Sequence, residues 1–431
     1  MYREYALGTK NQTESAGQGL ATFEGGTSKT VLITAVVTSG LWLVSLGVLW
    51  WTPFDSKFDQ AFGFGLAVVA WLALVWLTTR QVNMTKLVLA LMVVGGGAAV
   101  IAMPATSTDV NSYAMYGQMV SEHHASPYVH SPDDFPQDLW SNRVAGKWKD
   151  SPSLYGPLFT GLSAALVVVT GGDVEATVHG FQLLALVAYA LSAYLLWRRS
   201  RNTSVLAFFG LSPFVLALGV NDAHSDLLVG LGVLCAALLI ERAWNAGSTG
   251  VQRLCLAGVS LACAGLVKIT ALLAAGGSAL VLVARRRLRN AALLVFIIAV
   301  TVGIGLTIVG VDNFVSAMSQ ASDRHSRFSL WAPVHSLLNE SGQPDVAKRI
   351  NAVANLVVLV VGALVVWMLR KNRQGALWVV APLVTYQVLG PYTVGWYALW
   401  SLPALALVRH HWLTKVAVGH GVLVTMLYFL L

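Results

Sequence analysis

Asp109 stands in the stretch Pro104-Ala-Thr-Ser-Thr-Asp109-Val-Asn-Ser-Tyr113, a few residues beyond an apolar run able to enter a membrane. A carboxylate just above a bilayer, with Tyr113 one helical turn on, is positioned to act on a lipid headgroup. If that headgroup is a glycosyl phosphate, the phosphate departs as a stable anion and needs little acid assistance. One general base that takes the proton of an acceptor hydroxyl then suffices. The competing reading makes Asp109 the cap of the helix carrying Tyr113 and Tyr116.

The turn Asn221-Asp222-Ala-His224-Ser-Asp226 sets four polar side chains between two apolar segments. Ionisable groups at a membrane edge are expensive and are functional candidates by default. His224 and Asp226 could hydrogen-bond sugar hydroxyls or hold an acceptor; the alternative is a helix cap by Asn221 or Asp222. Lys268 interrupts a long apolar stretch and must snorkel or meet an anion, such as a lipid-linked phosphate. In Asp323-Arg324-His325-Ser-Arg327-Phe328, two arginines at i, i+3 clamp a phosphate if the segment is helical; otherwise they form a solvated loop face. Ser126-Pro127-Tyr128 and Ser153-Leu-Tyr155-Gly156-Pro157 suit fixed turns with rings at headgroup level. His123-His124 are adjacent, and His224 with Asp226 supplies two ligands, so no metal site is expected. A divalent ion gathered from separate loops stays open.

These residues need a scaffold, and composition names its class. The 431 residues are 56% hydrophobic and 11% charged, with a mean hydropathy of +0.65. A soluble domain cannot hide so much apolar surface behind so few charges. Runs such as Thr30–Trp51 and Ala176–Trp197 reach the roughly 20 residues that cross a bilayer core. The net charge of +8 resides in short basic loops between apolar runs, an orientation signal rather than a nucleic-acid face. Cys235, Cys255 and Cys263 fall within apolar runs and imply no disulfide framework. Residues 1–30 lack the apolar core of a signal peptide and read as a flexible cytosolic lead.

The rest, 31–431, reads as one all-α transmembrane domain of about thirteen spans: 31–51, 60–79, 86–103, 175–198, 204–220, 225–241, 252–267, 269–284, 291–311, 351–369, 375–391, 396–409 and 413–431. Charge bias settles two ambiguities. Tyr155–Val169 is assigned to the interface, which keeps Arg198, Arg199 and Arg201 cytosolic. Arg253 to Arg285 folds as a hairpin with Lys268 at its outer tip. The N-terminus is then cytoplasmic in a multi-pass plasma-membrane protein. The external segments 104–174 and 312–350 are too long to be simple connectors, so chemistry is expected between them.

Several motifs recur in a telling order. Asp109-Val-x-x-Tyr113-x-x-x-Gly117 is followed by Ser126-Pro127-Tyr128 and by Tyr155-Gly156-Pro157-Leu158. Then come Pro213 with His224-x-Asp226, the step Val267-Lys268, and Trp396-Tyr397-x-x-Trp400-x-x-Pro403. Over residues 104–410 this set resembles the GT-C superfamily of membrane glycosyltransferases that use polyprenyl-phosphate sugars. Within it, the chain looks most like the actinobacterial α-1,6-mannosyltransferases that build the lipomannan backbone.

The resemblance implies a GT-C helical bundle, a catalytic carboxylate at Asp109 and a decaprenyl-phosphate-mannose donor near Lys268 and the 312–350 segment. It also implies inversion at the anomeric carbon and a glycolipid or oligomannoside acceptor. Donor contacts are expected from Lys268, Arg324, His325, Arg327 and Tyr113, and sugar or acceptor contacts from His224, Asp226, Tyr155, Trp396 and Tyr397. Two features depart from the pattern: Asp109 has no acidic neighbour at i+1 or i+2, and Ser212 replaces the Asn that often precedes the proline. Glucose or arabinofuranose from the same class of carrier is the alternative chemistry. A flippase of polyprenyl-linked sugars would need related halves and midplane polar groups, whereas here the ionisable residues gather at one face.

Overall fold

A computed structural model describes residues 27–52, 56–80, 84–244 and 250–431, so the proposed lead over 1–30 lies almost wholly outside the described residues. Eight described helices are long and apolar enough to cross a membrane: Thr30–Trp51, Lys57–Arg80, Val174–Ser200, Asp226–Trp244, Gly250–Val267, Leu288–Val309, Arg349–Leu369 and Trp412–Leu430. Thr203–Gly210 and Phe214–Asn221 make a ninth if counted as one span, bent by 48° just before Pro213. Among the described residues there is no strand, and the protein is an all-α polytopic membrane protein.

Four apolar helices are shorter: Thr85–Ile101, Pro157–Thr170, Ile269–Ala284 and Gly375–Leu389. Three of them coincide with expected spans. The expected span 396–409 is a different object. It is broken into Gly395–Trp400, Leu402–Leu405 and Ala406–Val408, none long enough to cross. Its side chains are almost all buried, so its apolarity serves packing inside the protein rather than contact with lipid. Leu288–Val309 shows the opposite environment: Phe296, Ile304 and Ile308 all face outward, as lipid contact requires.

Pro157–Thr170 has 14 residues, so it is about 21 Å long and short of the bilayer core. It packs along Asp109–Ser121 instead. The approach depends on Gly117, where an added Cβ would sit 2.6 Å from the Ser163 carbonyl oxygen. Gly156 does the same for the hairpin of Lys268: its N–H donates to the Val267 carbonyl at 2.9 Å. A Cβ there would sit 2.1 Å from the Leu266 oxygen.

Gly258 faces Ile297 and Gly305 faces Leu266, so Gly250–Val267 and Leu288–Val309 run side by side in one direction. Leu272–Ala284 must therefore run back between them, which leaves Lys268 at one end and Arg253 with Arg285 and Arg287 at the other. Arg199 pairs with Glu241 near that second end, and Arg253 donates to the Arg242 carbonyl there. The basic clusters and the acidic turn thus occupy opposite ends of the bundle.

Candidate active site

The bent span delivers the polar turn. Phe214–Asn221 winds loosely as a π-helix, and the chain reverses through Ala223, whose φ is +57°. That conformation costs a residue with a Cβ and marks a constrained turn. Neither Asn221 nor Asp222 N-caps the helix that follows, Asp226–Trp244; Asp222 closes the one before it. The Asn221 amide nitrogen donates to the carbonyls of Ala99, Ala102 and Met103, and its oxygen accepts from the Ala105 N–H. Asp222 accepts from the N–H groups of Ala105 and Thr106 and from the Thr106 hydroxyl. Burial pushes the Asp222 carboxyl up to about 6, against the pull of His224 and Thr106. Both side chains are spent on clasping the segment that leads to Asp109.

That segment starts the helix Asp109–Ser121 at Asp109 itself, where a carboxylate suits the helix dipole but makes no capping bond. The Asp109 side chain is 22% exposed, and its Oδ2 lies 3.6 Å from His224 Nε2. His224 Nδ1 bonds the Leu218 carbonyl at 2.7 Å, so Nδ1 carries the proton. Nε2 is buried without a hydrogen-bond partner. Burial alone would raise the Asp109 carboxyl; the facing His224, then Lys268 and Lys147, bring it below its ordinary value. Burial pulls His224 down, yet Asp109 and then Asp222 and Asp226 hold it above its ordinary value. Asp109 and His224 therefore form a buried-edge ion pair, with the indole of Trp396 4.3 Å from the imidazole.

Asp109 opens into a cavity of about 730 Å³ between the first long segment and 323–328. Among the expected residues, Arg324, His325, Arg327 and Trp396 line it with Asp109. The helical clamp of Arg324 and Arg327 does not form, because 324–326 is not helical. Ser326 is drawn onto the loop opposite, its N–H to the Pro391 carbonyl and its hydroxyl to that of Thr393. Arg324 is consumed as a strap, donating to the Lys147 carbonyl, Asp150 and Ser151, above the Trp148 ring. His325 stacks on His335 at 3.9 Å. Arg327 pairs with no carboxylate among the described residues.

Other expected residues lie outside the cavity wall. Asp226 is fully buried and accepts from Lys268 Nζ at 2.9 Å and from the Trp400 indole. Lys268 is held over the Tyr397 ring at 4.5 Å and the Trp400 ring at 5.3 Å. Tyr113 and Tyr155 pack edge to face at 4.9 Å in an aromatic cluster with Phe159 behind the Asp109 helix. Burial, reinforced by Asp109, holds the Tyr113 phenol protonated, well above its ordinary range. Lys268, Asp226, Tyr113, Tyr155 and Tyr397 thus support the site from behind.

Sequence reasoning missed Lys147, Trp148, Tyr392 and Tyr428, all of which line the cavity. The stretch Lys147-Trp148-Lys149 in an external segment was the available signal for the first two. Tyr428 sits in the last helix and bonds the Thr106 carbonyl at 3.1 Å, a meeting that nothing local announces. Among the described residues, no three of His, Cys, Asp or Glu gather as a metal-holding set.

The arrangement presents the Asp109 carboxylate with a second one at Asp323, uncommitted cations at Lys147 and Arg327, and an aromatic wall, which suits a phosphorylated sugar. Residues 25–285 match a family model described as "Alpha-(1->6)-mannopyranosyltransferase, N-terminal domain". The chain is 24% identical over 343 residues to alpha-(1->6)-mannopyranosyltransferase B of Corynebacterium glutamicum, covering 70% of this chain and 56% of that protein. It is 24% identical over 154 residues to alpha-(1->6)-mannopyranosyltransferase A of the same organism, covering 34% of this chain and 31% of that one. The chain thus spans little more than half the length of the first relative. No solved structure matches it.

Proposed function

This chain belongs to the alpha-(1->6)-mannopyranosyltransferase family, and from that premise we propose that it transfers mannose from a polyprenyl-phosphate-mannose to a mannoside or lipid-linked glycan, forming an α-1,6 bond at the extracytoplasmic face. The observation that carries the reading is the carboxylate of Asp109, ion-paired to His224, at the mouth of a cavity that also holds Lys147 and Arg327. Asp109 accepts the proton of the acceptor hydroxyl as that oxygen bonds to the anomeric carbon. The bond from that carbon to the phosphate oxygen breaks on the opposite face, and polyprenyl phosphate leaves with the electron pair. A β-linked donor so yields an α-mannoside.

Lys147 and Arg327 neutralise the charge that grows on the departing phosphate. His224 holds Asp109 ionised and oriented, while Trp396 and Tyr392 offer flat faces to sugar rings. Two apolar grooves, of about 590 and 880 Å³, flank the hairpin of Lys268 and suit the hydrocarbon chains of lipid-borne substrates.

The test is an assay of the purified full chain with radiolabelled polyprenyl-phosphate-mannose and short α-mannoside acceptors. Labelled product is expected, and Asp109→Asn is expected to lower turnover by about 10²- to 10⁴-fold with an unchanged size-exclusion profile. Near-normal turnover in that variant would falsify the role of Asp109. Product from a glucosyl or arabinofuranosyl carrier but not the mannosyl one would reassign the sugar. Labelled lipid crossing the bilayer with no glycoside formed would reassign the protein as a flippase.

A further inference from the structure

At the end of the bundle away from Asp109, two turns bring Arg285, Arg287, Arg370, Lys371 and Arg373 around one cavity of about 530 Å³. Lys268 and Arg285 bracket the short returning arm of the hairpin, so the two ends lie about 25 Å apart. Trp244 forms part of the cavity wall.

The cluster is built, not merely rich in charge. Arg285 donates to the Arg370 carbonyl, and through Nη2 to the Asn372 carbonyl at 2.7 Å, which lashes the two turns together. Its guanidinium lies 4.6 Å from the Trp244 ring and 5.0 Å from the Trp378 ring. Arg286 takes a left-handed φ of +58°, so the chain reverses sharply there, and Arg287 returns to the same indole at 3.6 Å. Among the described residues, none of the five cations pairs with a carboxylate. Like charges gathered this closely repel one another until an anion joins them. Arginine forks match phosphate oxygens, and Trp244 in the wall fits the headgroup level of a bilayer.

We propose that this cavity binds a phosphate group, borne by an anionic lipid at the membrane edge or free in solution. Basic pockets between membrane helices take lipid headgroups in this way. The site is separate from the Asp109 cavity, and the glycosyl-transfer reading neither supports nor needs it.

The experiment uses the full chain in nanodiscs of phosphatidylcholine with phosphatidylglycerol, read by native mass spectrometry. Arg287→Gln with Arg373→Gln is the variant, because Arg285 carries the fold of the turn. If the source is lipid, the wild-type protein retains phosphatidylglycerol in preference to phosphatidylcholine, and the preference falls about fivefold for each cation removed. If the source is soluble, millimolar inorganic phosphate raises the melting temperature in pure phosphatidylcholine discs for the wild type and not for the variant. Either result supports the site and tells its source. The absence of both lipid preference and phosphate stabilisation overturns the site, as do effects that are equal in the double variant.

Discussion

Replacing His224 by Gln separates the two halves of the Asp109–His224 pair. At 3.6 Å, with an effective dielectric constant of about 20, the attraction between the two charges is about 4.6 kcal/mol. That figure is an upper bound, because the carboxylate is 22% exposed and solvent screens it. Glutamine keeps the size and polarity of the imidazole but removes the cation. The largest of the influences that together outweigh burial at Asp109 then disappears, so its carboxyl rises. A base works only when ionised, so activity lost as pH falls through the Asp109 ionisation is lost at higher pH in the variant. The assay is the pH profile of kcat/KM for mannosyl transfer, on protein whose melting temperature and elution volume match the wild type. The acid limb moves to higher pH, while the rate at the optimum falls less than in Asp109→Asn, because the base itself remains. An acid limb that stays put, or moves to lower pH, refutes the ion pair as the device that keeps Asp109 charged. A loss as deep as that of Asp109→Asn at every pH would make His224 the base instead.

Lys147→Ala and Arg327→Ala each raise KM for the donor by about tenfold or more, as expected for one charge-assisted phosphate contact; an unchanged KM in both removes the phosphate from this cavity. Lys268→Ala leaves Asp226 charged and buried without its partner, so the protein loses about 3–5 kcal/mol of stability. A change in donor KM at unchanged melting temperature would return Lys268 to direct phosphate binding. Gly156→Ala drives a Cβ onto the Leu266 oxygen, separates the first loop from the hairpin and costs about 1–3 kcal/mol. Thermal melting that matches the wild type would show that the contact yields freely.

Much of the scaffold was legible because membranes impose a length and a polarity on every helix. Apolar runs marked the long helices, and the clustering of Arg253 with Arg285 and Arg287 at one end came from charge alone. Residues 396–409 misled because a segment buried among other helices is as apolar as one facing lipid. Asp109 was legible for the opposite reason: a carboxylate beside a span is costly and rare. Arg324 and Arg327 looked alike in sequence, yet one straps the first loop and the other stays uncommitted. That distinction depends on where Ser326 finds its carbonyl partners, some 65 residues away along the chain.

By itself, the sequence determined the membrane class, the placement of charge at two ends and the candidacy of one aspartate. Each follows from the cost of putting charge or unpaired backbone into hydrocarbon, a cost paid locally. Only the tertiary structure decided which cations face that aspartate. It put His224 beside it, sealed Lys268 against Asp226 and carried Lys147 and Tyr428 to one cavity. Those meetings join residues far apart along the chain, 42 positions for Lys268 and Asp226 and more for the others, and they depend on backbone contacts such as Gly156 on Leu266, which leave no trace in local pattern.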